Sequence, residues 1–454
     1  MRLAFWATIG MIAVFTLAGC KDEEGVFISP DGHKFAFLQR PDAEIVAVQL
    51  AFPMNWLQED GNSPYVPQIA AEVMTTGGAE GYSPSEVLET IQDLDAQAFL
   101  YPQFYTLRGG LNVAPAQLDQ AVTLANAVLR APSFDETWMQ RSMDTLRANA
   151  VETHNATVFQ GLYALRLAMM GDTVFTEASL INNPSAIADV TVQHARDWHS
   201  QTLVTGSAVI AVAGPINLEK AGQVVDNLLN GLPHADTAFA EPPTAPYKAR
   251  KILMHNPLAE KTTLVVISPI PPTGGLDDFS DPIAAGILAG DDQSVLFREI
   301  RTQLRATYGF AAGPENYSRK ARIFTISGDV ETAQTAAAHD LVMRIYSDMS
   351  QNLMDAAEVA RFKSAISLGF DDLHNNTTQL ATSMVEFALD GQDPMTITEL
   401  GTLLDRVSPP SIKDRWATHY AKPENVTTLV VSPDAGALAG ACVITQARQV
   451  LDCP

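Results

Sequence analysis

Arg301 and Tyr308 are the residues of this 454-residue chain whose types and spacing most directly allow chemistry. They stand seven positions apart at the end of Val-Leu-Phe-Arg-Glu-Ile-Arg-Thr-Gln-Leu-Arg-Ala-Thr-Tyr, residues 295–308. A guanidinium and a phenol that converge on one cleft can both donate to a substrate carbonyl, and to the oxyanion that forms when the carbonyl is attacked. Seven residues is about two helical turns, so a helix running into an extended segment aims both polar tips the same way. Leu296, Phe297, Ile300 and Leu304 give that helix an apolar stripe, while Arg298, Glu299, Thr302 and Arg305 face water. On spacing alone a solvated arginine and a half-buried tyrosine explain the pattern more simply, because such residues usually occupy such positions. The elements that must position the pair decide between the two.

Composition narrows the field. With 52 acidic against 29 basic residues the formal charge is -23, which repels nucleic-acid phosphate and an anionic bilayer at long range. A nucleic-acid partner is excluded on that ground. Hydrophobic residues make up 46% of the chain and charged residues 18%, the balance of a globular protein. The length exceeds one ordinary hydrophobic core and calls for two to three domains.

The N-terminus reads as an address. Arg2 precedes an apolar run, residues 3–17, that ends in Leu17-Ala18-Gly19-Cys20. This looks like a bacterial lipoprotein signal peptide, residues 1–19, which implies cleavage before Cys20 and lipid attachment to that cysteine. A signal-anchor helix is the other reading, but the run falls short of the roughly 20 apolar residues a bilayer span needs. Lipid anchoring would place the chain on the periplasmic side of the cell envelope, at either the inner or the outer membrane. The other cysteines, Cys442 and Cys453, both lie in the tail, and an oxidising compartment favours a disulfide between them over two free thiols.

An internal repeat organises what lies between. Residues 45–52 alternate apolar side chains and end at Pro53, and residues 264–270 form a second strand-like run ending at Pro271, an offset of 218. The same offset pairs Gly110 with Gly328 and Pro215 with Pro433. Around each glycine the pattern reads as a strand, a turn and a long helix, at residues 118–129 and 336–349. A capping box, Ser83-Pro84-Ser85-Glu86, opens a helix through about Ala96. Prolines 233, 242, 243 and 246 resist helix and sheet and mark a linker. The expected organisation is an α+β fold of two homologous halves, each a mostly antiparallel sheet packed with helices. Its parts are residues 20–231, a linker 232–250, residues 251–440, and a tail 441–454.

Two duplicated α+β halves, the Gly61-Asn62-Ser63 approach to a helix, the Thr76-Gly77-Gly78-Ala79 exit from it, and Leu296-Phe297-Arg298-Glu299-Ile300-Arg301 in the second half resemble the pitrilysin family. That family includes insulinase and the mitochondrial processing peptidases. Its zinc-bearing members carry His-x-x-Glu-His on the helix matching residues 65–76, where two imidazoles one turn apart share the metal and the glutamate activates water. In this chain Gln68, Ala71 and Glu72 occupy those three positions. The third-ligand region near residues 141–146 offers only Asp144. His194 and His199, five apart, point in different directions on a helix and do not replace the site. No metal or other cofactor is therefore expected on this chain.

The resemblance implies that Arg301 and Tyr308 match the family's arginine and tyrosine that hold the substrate's backbone carbonyl. It implies a chain that cannot hydrolyse peptides alone and that completes a proteolytic chamber with a homologous zinc-bearing subunit, the zinc residing on that partner. A scaffold or assembly lipoprotein of the same fold, without a role in proteolysis, is the rival expectation. A lipoprotein that binds peptide without cleaving it is a third.

Overall fold

The computed structural model describes residues 23–59, 61–154, 156, 159–181, 183–240, 247–272, 279–304, 309–316, 321–351 and 355–454. The strands of the first half are β1 (Glu24–Ile28), β2 (Lys34–Gln39), β3 (Val46–Pro53), β4 (Gln97–Gln103), β5 (Thr106–Val113) and β6 (Val209–Gly214). They form one sheet in the order β1-β2-β6-β3-β5-β4. The second half supplies β7 (Lys251–His255), β8 (Thr262–Ile270), β9 (Phe310–Asn316), β10 (Arg322–Val330), β11 (Thr427–Ser432) and β12 (Cys442–Ile444). Their order is β12-β7-β11-β8-β10-β9. Only β2–β6, β7–β11 and β7–β12 pair in parallel, so both sheets are mostly antiparallel.

The helices of the first half are α1 (Val66–Thr76), α2 (Pro84–Asp93), α3 (Leu118–Arg130), α4 (Glu136–His154), α5 (Phe159–Met170), α6 (Val174–Ser179), α7 (Val192–Thr202) and α8 (Leu218–Leu229). Those of the second half are α9 (Ser280–Ala289), α10 (Val295–Glu299), α11 (Thr335–Asp348), α12 (Ala356–His374), α13 (Thr377–Leu389), α14 (Leu400–Arg406) and α15 (Pro409–His419). The capping box at Ser83 and Glu86 forms as expected. The helix it opens stops at Asp93 rather than near Ala96, because Asp95 takes a left-handed φ of 49°.

Strand registers show the same pairing plan in both halves: Ala51 pairs with Arg108 and Val209 in the first sheet, as Ile267 does with Thr325 and Thr427 in the second. Gly110 and Gly328 both lie inside a strand rather than at the expected turn. They do the same job. A Cβ on Gly110 would meet the ring of Phe99 at 2.3 Å, and one on Gly328 would meet Phe310 at 2.7 Å. Each glycine lets an edge-strand phenylalanine lie across its neighbour.

The alternation in β3 is large against small, not apolar against polar. Val46, Val48, Leu50 and Phe52 fill the core beneath α1, while Ala47 and Ala51 join Ala36, Ala211 and Ala213 on the other face. That alanine face admits α13 from the second half, through Leu380, Ala381, Met384 and Val385. Both faces are covered, and β3 is buried along its whole length. The reciprocal contact uses the equivalent helix, α5, which packs on β11. There the small residue is on the helix: a Cβ on Gly161 would come within 2.4 Å of Val431. Arg108 adds a bond between halves, its Nη2 donating to Glu386 on α13 at 2.7 Å.

The linker and tail also bind the first half. The carbonyls of Pro233, Ala235 and Ala238 accept from Thr205 N, Gly206 N and Asn55 Nδ2 at 3.0, 3.1 and 3.1 Å. Cys442 and Cys453 are joined, and the turn between them donates Ala447 N to Gln160 Oε1 on α5 at 3.0 Å. No helix among the described residues is long and apolar enough to cross a membrane. The signal peptide and Cys20 lie outside the described residues.

Candidate functional site

Helix α1 begins with Pro67 in its first turn, where a missing N–H costs nothing, and ends at Gly77. Val66, Ile69, Ala70, Val73 and Met74 turn into the core. Ala71 is buried with them, while Gln68 and Glu72, one turn apart, share the exposed face. The helix thus presents the outward pair of positions that the family uses for two metal-binding imidazoles, but with an amide and a carboxylate.

The neighbouring helix α4 completes the local chemistry. Ser142, buried against α1, donates its hydroxyl to the Glu72 carboxylate at 2.8 Å. Asp144 is two residues on, about 200° around the helix. It faces solvent, accepting from Gln140 Nε2 at 3.0 Å and pairing with Arg147 at 3.1 Å. These residues do not fit a zinc ion. Ala71 supplies no donor, Gln68 only a neutral amide, Glu72 is engaged by a hydroxyl, and the remaining acid points elsewhere. Among the described residues no three His, Cys, Asp or Glu side chains come together in a metal-binding group. His194 is occupied as a helix cap with Thr191, and His199 Nε2 sits 2.7 Å from the Leu129 carbonyl. Burial holds the His199 imidazole below the ordinary histidine range.

A polar cleft near the N-terminus of α1 carries groups that sequence reasoning missed. Tyr65 OH reaches the Glu177 carboxylate and lies 3.0 Å from the Asn183 carbonyl. Burial, reinforced by Glu177, pushes the Tyr65 phenol far up from its usual value. Tyr163 OH reaches the same carboxylate at 3.4 Å. Tyr65 and Glu177 are 112 residues apart, and nothing local in the sequence announces their meeting.

In the second half, Leu296 and Ile300 are buried as the apolar stripe requires. The expected continuous helix is interrupted: α10 ends at Glu299, and residues 300–304 widen into a π-type turn. Arg301 is exposed on that turn, its guanidinium carbon 6.0 Å from the Phe297 ring centre. The turn is braced from α11 and its approach, where Gln334 Nε2 donates to the Leu304 carbonyl at 2.9 Å and Arg344 Nη2 to Gln303 at 3.2 Å. A π-type turn in an otherwise α-helical run often marks a functional position. Tyr308 lies outside the described residues.

Comparison with known proteins accords with this geometry. Residues 189–366 match the family model described as "Peptidase M16 inactive domain". No curated protein matches the chain. Among solved structures, a peptidase M16 inactive domain from Pseudomonas fluorescens superimposes with a TM-score of 0.81 at 16% identity, covering 90% of this chain and 98% of that one. A protease from Helicobacter pylori gives 0.76 at 13% identity over 91% and 100%. A chain of complex III from Candida albicans gives 0.71 at 13% identity over 90% and 96%. These likenesses carry the fold across both halves, and the family match falls on the segment joining them. Residues 189–366 thus match an M16 inactive domain, and the chain as a whole has the fold of the M16 inactive-domain structure.

Proposed function

We propose that this chain is the zinc-free subunit of a heteromeric pitrilysin-type peptidase. It would supply half of the chamber, and Arg301 and Tyr308, to a homologous subunit that holds the zinc. One observation carries this reading: α1 keeps its place and its outward face, but Gln68, Ala71 and Glu72 cannot hold a metal, and Ser142 already occupies the one carboxylate. An exposed arginine on a braced turn is suited to grip a backbone carbonyl, and an extended peptide entering the chamber could add to an open sheet edge with little sequence preference. Acylation at Cys20 would tether the subunit to the periplasmic face of a bacterial membrane and confine the search for its partner to two dimensions.

The test is co-expression with a zinc-bearing homologue and assay on a quenched peptide, with this chain alone as the blank. The pair should cleave, while the single chain should neither cleave nor retain stoichiometric zinc by elemental analysis after dialysis. Cleavage by the single chain, or tight zinc, would overturn the reading. A stable pair with no gain over the partner alone would favour a scaffold of the same fold. Mass spectrometry of the mature N-terminus checks the anchor, and an unmodified chain beginning elsewhere would refute it.

A further inference from the structure

In the second sheet, β7 and β11 begin side by side. Arg250 stands just before β7, its carbonyl fixed by Thr428 N at 2.8 Å. Its side chain lines a cavity of about 420 Å³ together with Lys251, His339 and Glu424. Two of its guanidinium nitrogens, Nε and Nη1, are shielded from solvent and have no hydrogen-bond partner among the described residues. Among the described residues neither Arg250 nor Lys251 forms an ion pair there, and Glu424 lies exposed on the rim.

That arrangement is costly unless something repays it. A shielded guanidinium without an acceptor loses hydration and gains nothing, and a second cation beside it adds repulsion. The arrangement also runs against the chain as a whole, whose formal charge is -23. His339 registers the local field: burial, and then Lys251, hold its imidazole below the ordinary range against the opposing pull of Asp340. Its Nε2 is 3.3 Å from Thr428 Oγ1, so the ring is oriented rather than free. Met343 and Val426 add an apolar wall.

We propose that this cavity binds a terminal phosphate group, with Arg250 and Lys251 neutralising its two charges and the apolar wall accepting whatever the phosphate is esterified to. Two adjacent cations select a dianion, because a single carboxylate would leave one of them uncompensated. The phosphate could be free or could belong to a lipid headgroup, and one set of titrations separates these sources.

The experiment is calorimetric titration of the full chain with inorganic phosphate, against sodium chloride at matched ionic strength and against acetate. Saturable one-to-one binding is expected for phosphate, weaker binding for acetate and none for chloride. Arg250→Gln and Lys251→Gln should each weaken phosphate binding by about tenfold, the loss of one charge-assisted contact. Lys251 is exposed, so its variant tests the site even if Arg250→Gln disturbs the fold. Glycerol 3-phosphate binding at least as tightly as phosphate assigns the site to an ester of the headgroup kind, and much weaker binding assigns it to free phosphate. Absence of saturable phosphate binding, acetate binding equally well, or variants that match the native chain would each overturn the proposal.

Discussion

Helices α1 and α9 hold equivalent places, one in each half, and use them in opposite ways. Each follows the long central strand of its sheet and packs on the equivalent neighbours, α4 and α7 for the first, α12 and α15 for the second. Helix α1 turns its polar residues outward, where Glu72 meets a single hydroxyl and water. Helix α9 turns its acid inward. Asp281 is fully buried, accepts from Arg415 Nε and Nη2 and from Tyr420 OH, each at 2.7 Å, and lies 3.5 Å from Arg322 Nη2. Arg322 in turn holds Asn316 Oδ1 at 2.7 Å and the Pro271 carbonyl at 3.0 Å. One of the two equivalent helices therefore keeps an open polar face, while the other is locked into the frame on which α10 packs. The difference teaches that duplication preserved the packing partners of this helix but not the side on which its charge is used.

The largest test of that contrast is Asp281→Ala. Removing the acid takes the carboxylate from the buried Arg415 guanidinium and the buried Tyr420 phenol, and a broken buried pair of this kind typically costs about 3–5 kcal/mol. Urea denaturation should show a loss of that order, with the midpoint shifted and the slope unchanged. Glu72→Ala, which removes the acid on the open face of α1, should cost no more than about 1 kcal/mol, the net worth of the one hydrogen bond that Ser142 makes to it. Equal losses at the two sites would break the comparison.

The second test asks whether the locked frame serves a reactive face. In a verified complex with a zinc-bearing partner, Tyr308→Phe should leave assembly intact and lower peptide turnover by up to about a hundredfold, the effect of one lost oxyanion donor. Arg301→Ala should lower turnover similarly, with part of the loss appearing in KM because the guanidinium also positions the substrate. Full activity in both variants would remove the carbonyl-binding role and leave the second half as scaffold.

Local signals were legible in the sequence and long-range ones were not. The capping box at Ser83 and Glu86, the helices after each duplicated strand pair, and the two-half plan follow from neighbouring residues or from their repetition. The alternation in β3 announced a strand but not its second contact, since the alanines on its other face carry no local sign that α13 packs there. The glycine turns were misplaced because a glycine that makes room for a ring across the sheet looks like a glycine that makes a turn. At the site, Gln68, Ala71 and Glu72 could be located only through resemblance to a motif they lack. Ser142, 70 residues from Glu72, has no signature, because a serine on a helix is ordinarily solvated. The Asp281 network is assembled from α9, β10 and α15 and its neighbourhood, and no window of sequence contains it.

The smallest test concerns Ser142 itself. Its hydroxyl gives the Glu72 carboxylate one protein hydrogen bond, but Glu72 is exposed, so water can take over as donor when the hydroxyl is removed. Ser142→Ala should therefore cost no more than about 1 kcal/mol, the net worth of an ordinary hydrogen bond. The outcome is informative because Ser142 is itself buried, against the place where the family's third ligand is expected. If it merely fills space, alanine fits the same volume and stability barely changes. If it clamps Glu72 as firmly as Arg415 clamps Asp281, the loss would approach the several kcal/mol expected for Asp281→Ala. Paired urea curves for the two variants distinguish these cases, and a loss at Ser142 comparable to that at Asp281 would mean that both halves are locked and that the open face of α1 is only apparent.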